Sequence, residues 1–408
     1  MNPNLASIRS AWGVLLGASV MLSVGMGLRQ SLGLFLQPLT HDIHISVADF
    51  TIAIAVQNLA WGFLQPVVGA LTVRWGFRPI MIFGALAYVA GLLILGTAQG
   101  MTAVVIGAGL LIGLALACSG SAIAMSVASR AVPERARSLV LGVVSAAGSV
   151  GALIAAPLGQ GLSVGFGWRV AVFAFAALAC AIVVSAVFAG RIDRIAPMRA
   201  TGPGLSAWPA LKQAMSTPVF VVMTAAYFVC GMQLVFLTTH LPSYLALCGM
   251  DPMLSAESLG MIGGFNILGS LFFGWAGGRW NKYGLLGGIY VLRSLALGIY
   301  FAYPPTPAGT LVFAAVMGFL WLGVAPLVAG AVASLFGLRW QAMIQGVAFV
   351  SHQLGSFLGA FGGGLIYDMF GDYTLAWQAG VALGLLAGAV QMAFAFVPAR
   401  RPPLLATA

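Results

Sequence analysis

The stretch Gly69-Ala70-Leu71-Thr72-Val73-Arg74-Trp75-Gly76 returns 205 residues later as Gly274-Trp275-Ala276-Gly277-Gly278-Arg279-Trp280-Asn281. Each copy closes one long apolar run and precedes another, so the chain reads as two related halves. Apolar runs of about 20 residues recur on both sides of the two copies, which is what a bilayer core of about 30 Å asks of a helix. Of the 408 residues, 61% are hydrophobic and 6% charged. Soluble domains carry roughly 25% charged residues, so this chain lacks the polar surface to face water. Its 54 glycines suit helices that must pack backbone to backbone in lipid.

The hydropathy pattern predicts twelve helices, at about 11–37, 48–73, 79–99, 102–128, 138–164, 168–190, 217–245, 256–278, 284–303, 308–333, 342–366 and 375–397. Arg9 precedes the first without a cleavage site, so that run reads as a membrane helix and not as a signal peptide. The segment 191–216, with Pro197, Gly202, Pro203, Gly204 and Pro209, is the one long connection. It divides the chain into bundles at 1–190 and 217–408.

Charge tests this map. With a cytoplasmic N-terminus, the inward segments hold Arg9, Arg74, Arg78, Arg130, Arg135, Arg137, Arg191, Arg194, Arg199, Lys212, Arg279, Lys282, Arg339, Arg400 and Arg401. That is 15 of the 18 cations. The outward loops hold Arg169 and six of the eight acids, Asp42, Asp49, Asp251, Glu257, Asp368 and Asp372. The positive-inside rule is obeyed, which explains the basic pI without nucleic acid as a partner. A missed helix would swap the sides of every later loop and erase the bias. A second echo agrees: Ala147, Gly151, Ala155 and Gly159 recur 204 residues on as Ser351, Gly355, Gly359 and Gly363. Small residues at this spacing let helices approach closely. The four cysteines follow no metal or disulfide spacing and read as buried small hydrophobes.

These residues carry a resemblance. Gly69, Leu71, Arg74, Gly76 and Arg78 match the Gly-x-Leu-x-Asp-Arg-x-Gly-Arg-Arg loop of the major facilitator superfamily, with Val73, and Gly278 in the second copy, at its acidic position. Pro133-Glu134-Arg135-Ala136-Arg137 resembles the family's loop between helices 4 and 5. The resemblance implies an all-α membrane protein with twelve transmembrane helices in two pseudo-symmetric six-helix bundles. It implies secondary transport by alternating access about a site between the halves. Gly69, Arg74, Gly76, Arg78, Arg279 and Arg293 are then read as gating or structural residues.

Ionisable groups deep in a bilayer are expensive, and so are functional candidates. Three stand deep in the predicted helices: Arg29, Arg293 and His352; no acid joins them. Fixed positive charge without a carboxylate favours an anion, and an arginine fork suits an organic carboxylate. Arg29 lies on the first helix, which lines the cavity in this family, and is the expected clamp. Gln233 is expected to orient the substrate. His352 is expected to contact it and to carry the coupling proton, although a lone histidine in a packed helix also serves simply as a hydrogen-bonding residue. Arg293 stands on a peripheral helix and reads as a brace. Asn58, Gln57, Ser119, Ser121, Tyr227 and Asn266 are secondary candidates, since polar side chains also glue membrane helices together.

The runs Gly27 to Phe35 and Ser351 to Gly359 resemble bacterial relatives of the monocarboxylate and oxalate/formate transporters. The stretch Gly264 to Ser270 carries no acidic–arginine pair of the kind found in helix 8 of the monocarboxylate group. The expectation is an inner-membrane carrier of a small organic anion, moved with protons or by exchange, acting as a monomer with both termini cytoplasmic. No cofactor and no enzymatic activity are expected. The rival reading is a proton-driven exporter of drugs or other hydrophobic compounds. Ala155-Ala156-Pro157 does not reproduce the Gly-Pro step of the antiporter signature.

Overall fold

A computed structural model of the chain describes residues 3–196 and 206–396, the side chains of 3–10, 47, 48 and 252 excepted. Pro197, Arg199, Gly202, Pro203, Gly204, Arg400 and Arg401, and the side chain of Arg9, lie outside the described residues.

Twelve long helical segments follow one another: α1 Ala11–Ile43, α2 Asp49–Trp75, α3 Phe77–Gly96, α4 Met101–Ala131, α5 Glu134–Phe166, α6 Trp168–Ile195, α7 Pro218–Leu247, α8 Met253–Ala276, α9 Lys282–Ala302, α10 Pro307–Phe336, α11 Gln341–Phe370 and α12 Thr374–Ala395. A short helix, Ala207–Met215, precedes α7. All but α11 are long and apolar enough to cross a membrane. Helix α11 is 30 residues long, and Gln341, Gln345, Ser351, His352, Gln353 and Ser356 dilute its apolar character. The repeated small-residue ladder supports the helix predicted at 342–366 where its apolar character is diluted. Helix α1 runs six residues beyond its predicted end because a 3-10 turn at Leu32–Phe35 leads into a further helical stretch, Leu36–Ile43.

The chain forms two compact units: Met1–Gly204 with Leu338–Gly346, and Leu205–Gly337 with Val347–Ala408. In the first, the small-residue ladder of α5 meets α1, so that a Cβ on Gly151 would overlap the carbonyl of Ser23, and one on Gly27 that of Gly151. In the second, the ladder of α11 meets α7. A Cβ on Gly355 would overlap the carbonyl of Phe228, one on Gly359 that of Met232, and one on Gly363 the ring of His240. The two ladders read from the sequence thus do the same work on corresponding helix pairs.

Polar side chains repair breaks in α4 and α10. Residues 105–111 of α4 form a π-helical stretch, which loosens the regular backbone ladder; Gln57 on α2 donates to the carbonyl of Ala108 at 2.6 Å. Gln65 donates to the carbonyl of Ala117 at 3.0 Å, just before the break at Gly120. Helix α10 breaks at Leu322 and Gly323, where Asn266 Oδ1 on α8 accepts the Leu322 N–H at 2.8 Å. Without water to satisfy freed backbone groups, such breaks need a partner from a neighbouring helix.

The four cysteines are free. Cys118 and Cys230 are buried, whereas Cys180 and Cys248 are exposed. The buried reading holds for two of them only, because the apolar face that carries Cys180 is turned outward and Cys248 sits at a helix end.

Candidate functional site

Arg29 stands in the middle of α1 just before the 3-10 turn and is half-buried. Its Nη2 donates to Oδ1 of Asn58 at 2.5 Å, and its guanidinium carbon lies 5.0 Å from the ring centroid of Trp61. Asn58 and Trp61 are three residues apart on α2 and so share a face. Trp61 Nε1 in turn donates to Gln65 at 3.2 Å. The Nε of Arg29 is buried without a hydrogen-bond partner. The cation is thus held by a neutral carboxamide and an aromatic face, which orient it and leave its charge uncompensated.

Arg293 on α9 is fully buried. It donates from Nη1 to Cys230 Sγ at 3.2 Å, and from Nη2 to the Cys230 carbonyl at 3.3 Å and to Gln233 Oε1 at 3.2 Å. The amide of Gln233 donates to Ser294 Oγ and to the Gly380 carbonyl, both at 2.9 Å. One network therefore ties α7 to α9 and α12, and both ends of the Gln233 side chain are taken up by protein groups.

His352 on α11 stacks on Phe349, with centroids 5.6 Å apart, and tilts against Tyr227 of α7 at 4.6 Å. Its Nδ1 has distant polar neighbours in Gln353 and Ser356, both at 3.4 Å. A Cβ on Gly231 would overlap the His352 carbonyl, so the histidine sits where α7 and α11 approach closely. Further along α7 and α11, a cavity of about 180 Å³ is lined by Gln233, Phe236, Leu358, Gly359, Trp377 and Gly380 among others; apart from the carboxamide of Gln233, these side chains are largely apolar.

The structure thus brings Arg29 to Asn58, Tyr227 to His352, and Gln233 to Arg293; Asn266 bonds at the break in α10. Sequence reasoning missed Trp61, whose three-residue spacing from Asn58 was the available signal. It also missed His240, which bonds the Ala360 carbonyl at 2.9 Å and packs its ring between Phe236 and Tyr373. All eight acids lie between helices or within about two turns of a helix end.

The signature loop has its own geometry. Gly76 adopts φ +84°, and a Cβ on Gly69 would overlap the backbone of Ala342. The carboxylate of Asp193, at the end of α6, accepts the N–H of Phe77 at 2.9 Å and of Arg78 at 2.8 Å. An acid absent from position 73 is supplied to this loop from 120 residues further along the chain.

Residues 14–360 match the Major Facilitator Superfamily profile. The chain belongs to this superfamily. It is 25% identical to monocarboxylate transporter 13 of Rattus norvegicus, over 92% of this chain and 87% of that one. It is 28% identical to human monocarboxylate transporter 11 over 95% and 82%, and 23% identical to the uncharacterized MFS-type transporter YcxA of Bacillus subtilis over 90% and 91%. Among solved structures, the proton:xylose symporter XylE aligns with a TM-score of 0.73 at 12% identity, over 94% of this chain and 96% of that one. The E. coli fucose:proton symporter FucP aligns at 0.69 and 16%, over 93% and 97%. The protein is thus a major facilitator transporter of the all-α, twelve-helix fold, a multi-pass membrane protein and not an enzyme.

Proposed function

We propose that this transporter carries a small organic anion of the monocarboxylate type across the cytoplasmic membrane by alternating access, coupled to protons or in exchange for a second anion. The observation that carries the reading is Arg29: a cation in the middle of a membrane helix whose bonded partner, Asn58, is neutral. A guanidinium presents five donors in a fixed fork, and a carboxylate would satisfy both its charge and its unpartnered Nε. The restriction of the acids to loops and helix ends disfavours a cationic cargo. Relatives named as monocarboxylate transporters, at 25–28% identity, point the same way.

In this reading Arg29 clamps the carboxylate with Asn58 beside it, while His352 and Tyr227 serve as hydrogen-bond donors, His352 also handling the proton. The experiment is uptake of radiolabelled lactate, pyruvate and oxalate into proteoliposomes, with and without a pH gradient and with and without internal anion. Saturable uptake of one of them that is lost in Arg29→Gln supports the proposal. Transport of hydrophobic cations with no response to any of the three anions overturns it in favour of an exporter.

A further inference from the structure

The two copies of the repeat differ in what stands against the second helix of each. In the first, Asp193 places its carboxylate on the N–H groups of Phe77 and Arg78. In the second, the corresponding turn caps itself: Asn281 Oδ1 accepts the N–H of Tyr283 at 2.8 Å and of Gly284 at 3.3 Å, and its amide donates to the Ala395 carbonyl at 2.9 Å. The position 205 residues after Asp193 is Pro398.

Beside that second turn lies a groove of about 310 Å³ walled by Trp280, Asn281, Lys282, Tyr283, Ser334 and Leu335. No acid is among its lining residues. Lys282 contributes one cation to the lining; Arg279, three residues before it, is exposed, and its guanidinium lies 4.2 Å from the Trp275 ring centroid. Trp275 and Trp280 pack edge to face at 5.5 Å, are 39% and 53% exposed, and continue along α8 through Phe272, 5.8 Å from Trp275. Exposed tryptophans at helix ends sit at the level of lipid headgroups, and basic pockets there attract anionic ones.

We propose that this groove binds the phosphate headgroup of an anionic phospholipid. Arg279 and Lys282 meet the phosphate, Ser334 offers a polar contact to the glycerol, and the Phe272–Trp275–Trp280 ladder receives the acyl chains. A free inorganic anion would leave that ladder unused, which is why a lipid is the occupant.

The test is native mass spectrometry of the full-length protein titrated with phosphatidylglycerol or phosphatidylcholine. Preferential retention of phosphatidylglycerol is expected, falling about tenfold or more in the Arg279→Gln/Lys282→Gln double variant, which removes both cations. The charge-preserving Arg279→Lys/Lys282→Arg pair should keep it, which separates lost binding from lost folding. Arg74→Gln, at the copy already served by Asp193, should leave it unchanged. Three results overturn the proposal: undiminished retention in the double variant, an equal loss in Arg74→Gln, or displacement of the lipid by millimolar inorganic phosphate. The last would make the groove a free-anion site.

Discussion

Asp193 caps Arg78: its Oδ2 accepts the Arg78 N–H at 2.8 Å while its Oδ1 takes that of Phe77, so the end of α6 closes the start of α3. Hydrogen bonds from a carboxylate to helix N-terminal amides are charge-assisted and favoured by the helix dipole. Asp193→Ala should therefore lower stability by about 1–3 kcal/mol, the penalty for stranding a bonded buried group. Asp193→Asn, which keeps an acceptor, should lose less. Thermal unfolding in detergent reads the difference, and equal melting of both variants and the parent would mean the cap contributes nothing.

Arg29 and Asn58 provide a sharper test of the anion reading. Hydrogen bonds to charged groups contribute about 1.5–3 kcal/mol, so Arg29→Gln should reduce the transport kcat/KM for the cargo anion by about one to two orders of magnitude. Asn58→Asp places a carboxylate on the guanidinium and should block anion uptake nearly as well, without loss of thermal stability. Asn58→Ala leaves the cation charged and should be far milder. If Asn58→Asp transports normally, Arg29 does not meet the substrate.

Much of this fold is legible in the sequence because membrane helices leave strong signals: length, apolar composition, loop charge and the repeated small-residue ladders. The deep polar residues are less legible, for a physical reason. In lipid, a side chain that binds substrate and one that mends a broken helix look alike, since both must be polar and buried. Asn266 and Gln57 bond in this structure to the Leu322 N–H and the Ala108 carbonyl, at helix breaks that no local pattern announces. Gln233 reads in the sequence as a partner for a ligand, yet its bonds run to Arg293, Ser294 and Gly380, residues at least 60 positions away. Asp193 was equally hidden, because its loop partners lie more than 110 residues upstream.

The Arg293–Gln233 pair should behave as a brace. Arg293→Ala strands the Cys230 carbonyl and Gln233 Oε1 in a buried setting, which costs about 1–3 kcal/mol per unsatisfied group. Folded protein that remains should transport with an unaltered KM. A raised KM at unchanged melting temperature in Arg293→Lys would instead place this cation at the substrate.

His352 is where coupling can be separated from binding. Its ring lies against Tyr227 and Phe349, and an imidazole is the side chain whose ordinary titration range spans neutral pH. His352→Gln keeps hydrogen-bonding capacity and removes the titratable group. Uptake driven by an inward proton gradient should fall at least about tenfold, while anion exchange at equal pH on both sides should persist. Two measurements on the same proteoliposomes decide it. Gradient-driven uptake that survives in His352→Gln would assign the proton to another group, and loss of both activities would make His352 a substrate contact without a coupling role.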